Sequence, residues 1–247
     1  FKAIRASNSG YFGRLTTDGP IVNFAKDGTT VGDIGVTQSG TNIYYAGGAA
    51  KSGVEYSNSA WRPWYDGARS DNVVDLGTTA NRFKDLYLSG GVYLGGTGAD
   101  NKLDDYETGF FTPTFTSTGT NPSGVTYDPT VGNEGRYTKI GKVVHIQINI
   151  RTDSISNKGS GNLQVSGLPF VSSDYASQGG VATFPCYSAG FLNKHPSYAL
   201  VAEAETTLSL VYRATSDGSV ENVLTSALNT GSNDNLCRIT GTYMTEE

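Results

Sequence analysis

The sequence has few of the residues that most often carry chemistry: two cysteines, two histidines and one methionine among 247 residues. Cys186 and Cys237 are too few for a disulfide framework, and the sequence leaves open whether they pair or remain free thiols. His145 and His195 are far apart in the chain, and no His-x-x-His or Cys-x-x-Cys spacing occurs, so no zinc site is expected. "DPTVGNEG" at 128–135 offers oxygen ligands without the order of a calcium loop. The glycine-rich "GGTG" lacks the following Lys-Ser/Thr of a phosphate loop, so neither metal nor cofactor is expected. Cys186 and His195, nine positions apart, make no recognisable nucleophile–base pair. Positive charge is also scarce: 18 Lys and Arg against 23 Asp and Glu give a formal charge of −5, with no basic block, which argues against nucleic acid as a partner. No apolar run approaches 18 residues, so no transmembrane segment is expected. The opening "FKAIRASNSG" has neither Met nor a signal-peptide apolar run, which predicts a fragment or a processed product.

Glycine, by contrast, is abundant at 32 of 247 residues, against ordinary usage of about 7%. Ser, Thr and Asn are also plentiful, and only 17% of residues are charged. This composition predicts an all-β, turn-rich chain. Residues 1–100 read as short strands between glycine-centred turns, with Asp27-Gly28 and Ser39-Gly40 as hairpin signals. Strands this short cannot close a thick core and would borrow a face from another chain. Residues 101–113 change texture: Asp104, Asp105 and Glu107 precede Phe110-Phe111, predicting a junction or short helical turn.

Residues 114–247 read as an antiparallel β-sandwich, jelly-roll-like in its spacing of strands. The clearest strand is "KVVHIQINIR", 142–151. Val144, Ile146, Ile148 and Ile150 would face a core, with His145, Gln147 and Asn149 on a wet face. Segments 136–142, 162–170, 179–187, 206–214 and 237–244 supply further strands. In "NRFKDLYLSGGVYLGG", 81–96, period-two alternation around Ser-Gly-Gly predicts a small hairpin pairing Leu86 and Leu88 with Val92 and Leu94.

Two stretches present candidate binding residues. "WRPWYD", 61–66, reads as an irregular loop. There Trp61, Trp64 and Tyr65 either offer flat faces to sugar rings or plug a core or subunit seam. "FPCYSAGFLNKHPSY", 184–198, reads as a proline-framed loop carrying Tyr187, Asn193, Lys194, His195 and Tyr198, either ligand contacts or ordinary surface. His145 reads as a solvated strand residue. Carboxylates raise hydrolysis as an alternative. Asp104, Asp105 and Glu107 cluster, and Glu203 and Glu205 would lie roughly 6.6 Å apart along a strand face. Such a spacing suits a glycosidase only with an apolar cleft to keep one acid protonated, and "VAEAETTLSL" reads instead as a charged, exposed edge.

"DLGTTANRFKDLYLSGGVYLGG", 75–96, resembles the distal part of bacteriophage tail fibres and receptor-binding proteins. "KLDDYETGFFTP", 102–113, resembles the connection to their C-terminal tip. "GRYTKIGKVVHIQINI", 135–150, and "SGLPF", 166–170, resemble the tip's opening strands, and "DGTTVGDIG", 27–35, resembles upstream shaft. The likeness touches most of the chain, but its specific elements lie within 75–113. No Ser-Lys self-cleaving chaperone module follows the last strand, so that activity is not implied.

The resemblance implies an elongated interchain β-hairpin shaft or collar over 1–100, followed by a receptor-binding tip, in a homotrimer. Leu86, Leu88, Val92 and Leu94 would pack about the threefold axis, where glycines let three backbones approach. It further implies residence in the virion's tail fibre and an upstream fibre or tail protein as partner. The expected function is non-enzymatic adhesion to a bacterial surface polysaccharide or outer-surface protein. A polysaccharide-degrading tip hydrolase and a purely structural fibre or decoration protein are the alternatives.

Overall fold

A computed structural model of the chain describes residues 12–48, 52–174, 182–214 and 219–246. It is all-β, built from antiparallel sheets, and its internal contacts divide it into two units, Phe1–Tyr87 and Leu88–Glu247. The division falls inside the 81–96 stretch rather than near residue 100.

The first unit is a six-stranded antiparallel meander in chain order. Its strands are β1 (Gly19–Lys26), β2 (Thr29–Thr37), β3 (Asn42–Gly47), β4 (Ser52–Tyr56), β5 (Trp61–Tyr65) and β6 (Ala68–Arg69). Asp27 and Gly28 take positive φ values of 50° and 77°, the geometry of a two-residue hairpin turn whose twist matches the flanking strands. Asp66 and Gly67 repeat it at 48° and 79°. The wider turn at 38–41 is fastened by the Asp18 carboxylate, which accepts from the Ser39 and Gly40 N–H groups at 2.9 and 3.0 Å. Residues 61–66 are therefore strand and turn, not the expected irregular loop. Pro63 fits a strand because its carbonyl accepts from the Ser70 N–H at 3.1 Å. Its missing N–H thus faces the short β6 side and removes no bond to β4.

The second unit begins with a ribbon in which β7 (Val92–Tyr93) pairs with β8 (Lys102–Leu103) across a 3₁₀ turn at Ala99–Asn101. This replaces the expected hairpin between 86–88 and 92–94; residues 86–88 belong to no strand. Asn101 decides the pairing. Its carbonyl accepts from the Leu94 N–H at 2.9 Å and its side-chain amide donates to the Leu94 carbonyl at 3.1 Å, so the partner of β7 follows it in the chain. Within the junction, helical geometry is confined to that 3₁₀ turn, and residues 106–111 form an edge strand.

The remaining strands make one curled sheet: β9 (Tyr106–Phe111), β10 (Thr114–Ser117), β11 (Thr126–Tyr127), β12 (Asn133–Ile140), β13 (Val143–Ser154), β14 (Leu163–Ser166), β15 (Ala182–Ala189), β16 (Tyr198–Val201), β17 (Thr207–Arg213), β18 (Val220–Asn222) and β19 (Asp234–Met244). Their order is β10-β14-β17-β16-β15-β19-β13-β12-β9, with β11 beside β13 and β18 beside β17. Each long segment expected as a strand after residue 135 contains one of these; of 179–187, residues 179–181 lie outside the described part. Glu203 and Glu205 do not share a strand face as expected. They lie in the turn between β16 and β17, where Ala204 takes φ 53°.

One core lies between the two halves of the curl. Val144, Ile146, Ile148 and Ile150 of β13 meet Leu163, Leu208, Leu210 and Val201 from the other half. The halves are joined by β15. Ala182–Pro185 pair with β16, and Cys186–Ala189 pair with β19. The strand changes partner at Pro185, where a residue without an N–H costs the ladder least. Cys186 and Cys237 both sit in this core as free thiols, and burial raises the Cys237 thiol above its ordinary pKa.

The Phe184 ring lies over Gly241 of β19, where an added Cβ would come within 2.4 Å of the ring. Phe184 is fully buried and meets Tyr243 edge to face, so the ring has nowhere to withdraw. Gly241→Ala is expected to lower stability by about 1–3 kcal/mol, as overpacking does. Urea titration would show this as a lower midpoint with unchanged slope; an unchanged midpoint would contradict the packing described.

Candidate functional site

The outer face of the second unit's sheet presents side chains from five strands in aligned rows. Strand alternation turns Ile146, Ile148 and Ile150 inward, so His145, Gln147 and Asn149 must point outward. Register then selects their neighbours. One row runs Tyr187–Arg238–Asn149–Glu134 across β15, β19, β13 and β12. The next runs Thr240–Gln147–Arg136–Phe110, with Pro185 of β15 lining the same surface, and a third Thr242–His145–Thr138–Thr108. A shallow depression of about 590 Å³ lies over the first two rows. A second depression of about 370 Å³ adjoins it over His145 and Phe110, and the two share Arg136 and Gln147.

The chemistry of this face is that of polar recognition. Arg136 donates from Nε to Glu134 Oε1 at 2.7 Å and its guanidinium lies 5.2 Å from the Phe110 ring centroid, so it is held in place. Arg238 donates from Nε to Asn149 Oδ1 at 3.4 Å. Tyr187 leaves 62% of its surface exposed at one end of the larger depression. Gln147, Asn149 and Thr240 supply uncharged donors and acceptors between them.

The carboxylates expected to suggest hydrolysis are occupied elsewhere. Asp104 pairs with Lys102 at 2.7 Å, which lowers its pKa, and Asp105 pairs with the buried Lys139 ammonium. Glu107 accepts from the Tyr137 hydroxyl at 2.6 Å and thereby holds the tyrosine's pKa up. Among the residues lining the larger depression, Glu134 is the one carboxylate, and it faces Arg136.

The sequence-predicted residues fall in separate places. Tyr187 lies on the outer face just described, whereas Tyr198 stands on β16, across the ladder from Pro185 and outside both depressions. Residues 184–189 of the expected loop are strand, and only 190–197 connect β15 to β16. In that connection Asn193 and His195 are exposed, His195 meeting Phe191 edge to face. Lys194 is committed to β17 and β18: its ammonium lies 3.3 Å from Glu221 and 4.7 Å from the Tyr212 ring centroid. Hydrogen bonds from Tyr212 and then Lys194 lower the Glu221 pKa.

Trp61, Trp64 and Tyr65 belong to the first unit and do not converge. Alternation puts Trp61 and Tyr65 on one face of β5 and Trp64 on the other. Trp64 is 7% exposed and stacks on Tyr44, with ring centroids 4.8 Å apart and planes at 8°. Both rings edge a depression of about 710 Å³, but neither presents a free face to it. Tyr44 lies over Gly35, and burial with a hydrogen bond to Asp33 raises its pKa. Trp61, 77% exposed, meets Tyr56 edge to face, and Tyr56 meets Tyr45 likewise.

Sequence reading identified the wet face of β13 but missed Arg136, Arg238, Thr240 and Phe110 as its companions. Each stands at an outward position of its own strand, so alternation was the available signal.

On the Trp64 face, Glu55 is fully buried. Its carboxylate accepts from Arg69 Nε at 2.7 Å and from the Thr37 hydroxyl, and Arg62 stands 3.6 Å away. The Arg69 bond, reinforced by Thr37, lowers the Glu55 pKa to about 2 against the opposition of burial. Because the folded-state pKa lies below the unfolded one, the charged form stabilises the fold above pH 4.5, and that contribution fades as pH falls towards 2. Glu55→Gln is expected to cost roughly 1.5–2 kcal/mol at neutral pH, the low end for charged hydrogen bonds because both arginines are partly exposed. The loss should shrink as pH falls below 4; an equal deficit at pH 7 and pH 2.5 would show that the charge contributes nothing. No family model, curated protein or solved structure matches this chain, so its functional reading rests on its own residues.

Proposed function

We propose that this chain is the distal part of a homotrimeric bacteriophage tail fibre, with a β-sandwich tip that adheres to a bacterial surface glycan. One observation carries the reading: among its described residues, the first unit leaves an apolar sheet face half-buried or exposed. Register aligns Ile34–Tyr45–Val54–Pro63 in one row and Val36–Ile43–Tyr56–Trp61 in the next. All eight are half-buried or exposed. A contiguous apolar, aromatic face of this kind marks an interface, and a fibre of parallel copies supplies the same face threefold. Leu86, Leu88 and Leu94, each more than half exposed, and the partly exposed Val92 continue the need for cover into the next segment.

Adhesion is favoured over cleavage because the larger depression offers one carboxylate, already paired with an arginine, where glycoside hydrolysis requires two in distinct protonation states. Three tips on one axis raise the effective concentration after first contact, so weak single-site binding suffices. The outer-face rows favour this reading over a purely structural fibre segment, since depressions lined by polar and aromatic side chains suit recognition rather than packing.

Native mass of the reduced chain is expected near 78 kDa for three copies of 26.1 kDa. Trp61→Asp, at a position that contributes little to the monomer's own packing, should shift the mass towards one copy while leaving the circular dichroism spectrum intact. A 26 kDa species for the unsubstituted chain would refute the assembly. Retention of the trimer on a panel of bacterial cells tests adhesion directly, and new reducing ends released from those cells would favour the hydrolase instead.

A further inference from the structure

We propose that the larger outer-face depression takes a carboxylate-bearing saccharide, with Arg238 binding the carboxylate and Tyr187 stacking against the sugar ring. The inference rests on the adhesion reading and names its ligand class. Its basis is the unequal use of two guanidinium groups on one surface. Arg136 is neutralised by Glu134 at 2.7 Å and lies against Phe110. Arg238 bonds the neutral Asn149 amide, and among the described residues no carboxylate stands within ion-pair distance of it. In a chain of formal charge −5, the depression therefore keeps an unneutralised positive charge where an incoming group can reach it.

The surroundings select the kind of anion. A guanidinium fork matches a planar carboxylate with two parallel hydrogen bonds. The Asn149 contact engages Arg238 Nε and leaves its two terminal nitrogens for a ligand. Register sets Tyr187 directly across from Arg238, so an exposed ring and a free cation stand side by side. Gln147 and Thr240 occupy the adjacent row, the right chemistry for hydroxyls on the same ring. Open on one side and lined by polar side chains together with Pro185, Ile148 and Ile239, the site suits a sugar chain with its hydroxyl edges and apolar ring faces.

The test uses the intact chain and two probes with one backbone, oligogalacturonate and its methyl ester, titrated calorimetrically at low and moderate salt. The acid should bind and the ester should bind at least about tenfold more weakly, since esterification removes one charge-assisted pair. Arg238→Gln should weaken acid binding roughly 10- to 100-fold with unchanged thermal stability. Lys194→Gln, whose cation is held by Glu221, should leave it unchanged. Equal binding of acid and ester would overturn the charge recognition, as would acid binding indifferent to Arg238→Gln. Failure of both probes to bind would overturn the ligand class. If the unsubstituted chain is nevertheless retained on bacterial cells, adhesion stands without the acidic ligand; loss of both retires the adhesion reading as well.

Discussion

A β-sheet has two faces, and an apolar face must be covered by something. The larger unit meets this demand internally. The inward residues of β13 are matched by those of β14, β16 and β17, because the sheet curls until its two halves enclose one core. That curl depends on β15 changing partners at Pro185. The same curl fixes the outer surface. Once Ile146, Ile148 and Ile150 are committed inward, Gln147 and Asn149 must stand outward beside Arg136, Thr240 and Arg238. The candidate site is the reverse side of the core, and its geometry inherits the core's rigidity.

The six-stranded meander solves the problem on one face only, and by unusual means. Glu55, Arg62 and Arg69 form a partly buried ion cluster beside the Tyr44–Trp64 stack, so this face is closed by its own long side chains. Gly35 makes the closure possible, since a Cβ there would lie 2.5 Å from the Tyr44 hydroxyl. The opposite face carries the Trp61–Tyr56–Tyr45 ladder, with Trp61 and Tyr45 exposed. A partly buried ion cluster beside an aromatic stack on one face, with exposed aromatic residues on the other, departs from the usual order for a sheet that folds alone. In the proposed assembly the apolar side would meet other copies, while Glu55 and Arg69 already satisfy each other on the opposite side.

Much of this was legible in the sequence because it is local. Asp27-Gly28 marked its hairpin, and the alternation of 143–150 marked both faces of β13. What escaped was decided by contacts between distant residues. Trp61 to Tyr65 looked like a loop because Pro63 interrupts the run, yet a proline at a position bordered by the short β6 leaves a strand intact. The 81–96 segment looked self-paired because its two apolar halves resemble each other, whereas the double bond from Asn101 to Leu94 draws in a later partner. Lys194 looked available for a ligand until Glu221 and Tyr212 were brought beside it.

The site was legible only by halves for the same reason. Alternation says which residues of one strand face outward, but register between strands far apart in sequence says which of them share a row. Arg238 comes within reach of Asn149 because β13 pairs with the last strand of the chain, a contact spanning 89 positions. Charge is resolved at that same level. Arg136 and Glu134 are two residues apart on one strand and neutralise each other locally, whereas Arg238 is flanked across the ladder by an amide and a phenol. A composition of net −5 therefore coexists with a positive recess, because pairing between strands, rather than the overall count, decides which charges remain to meet a ligand.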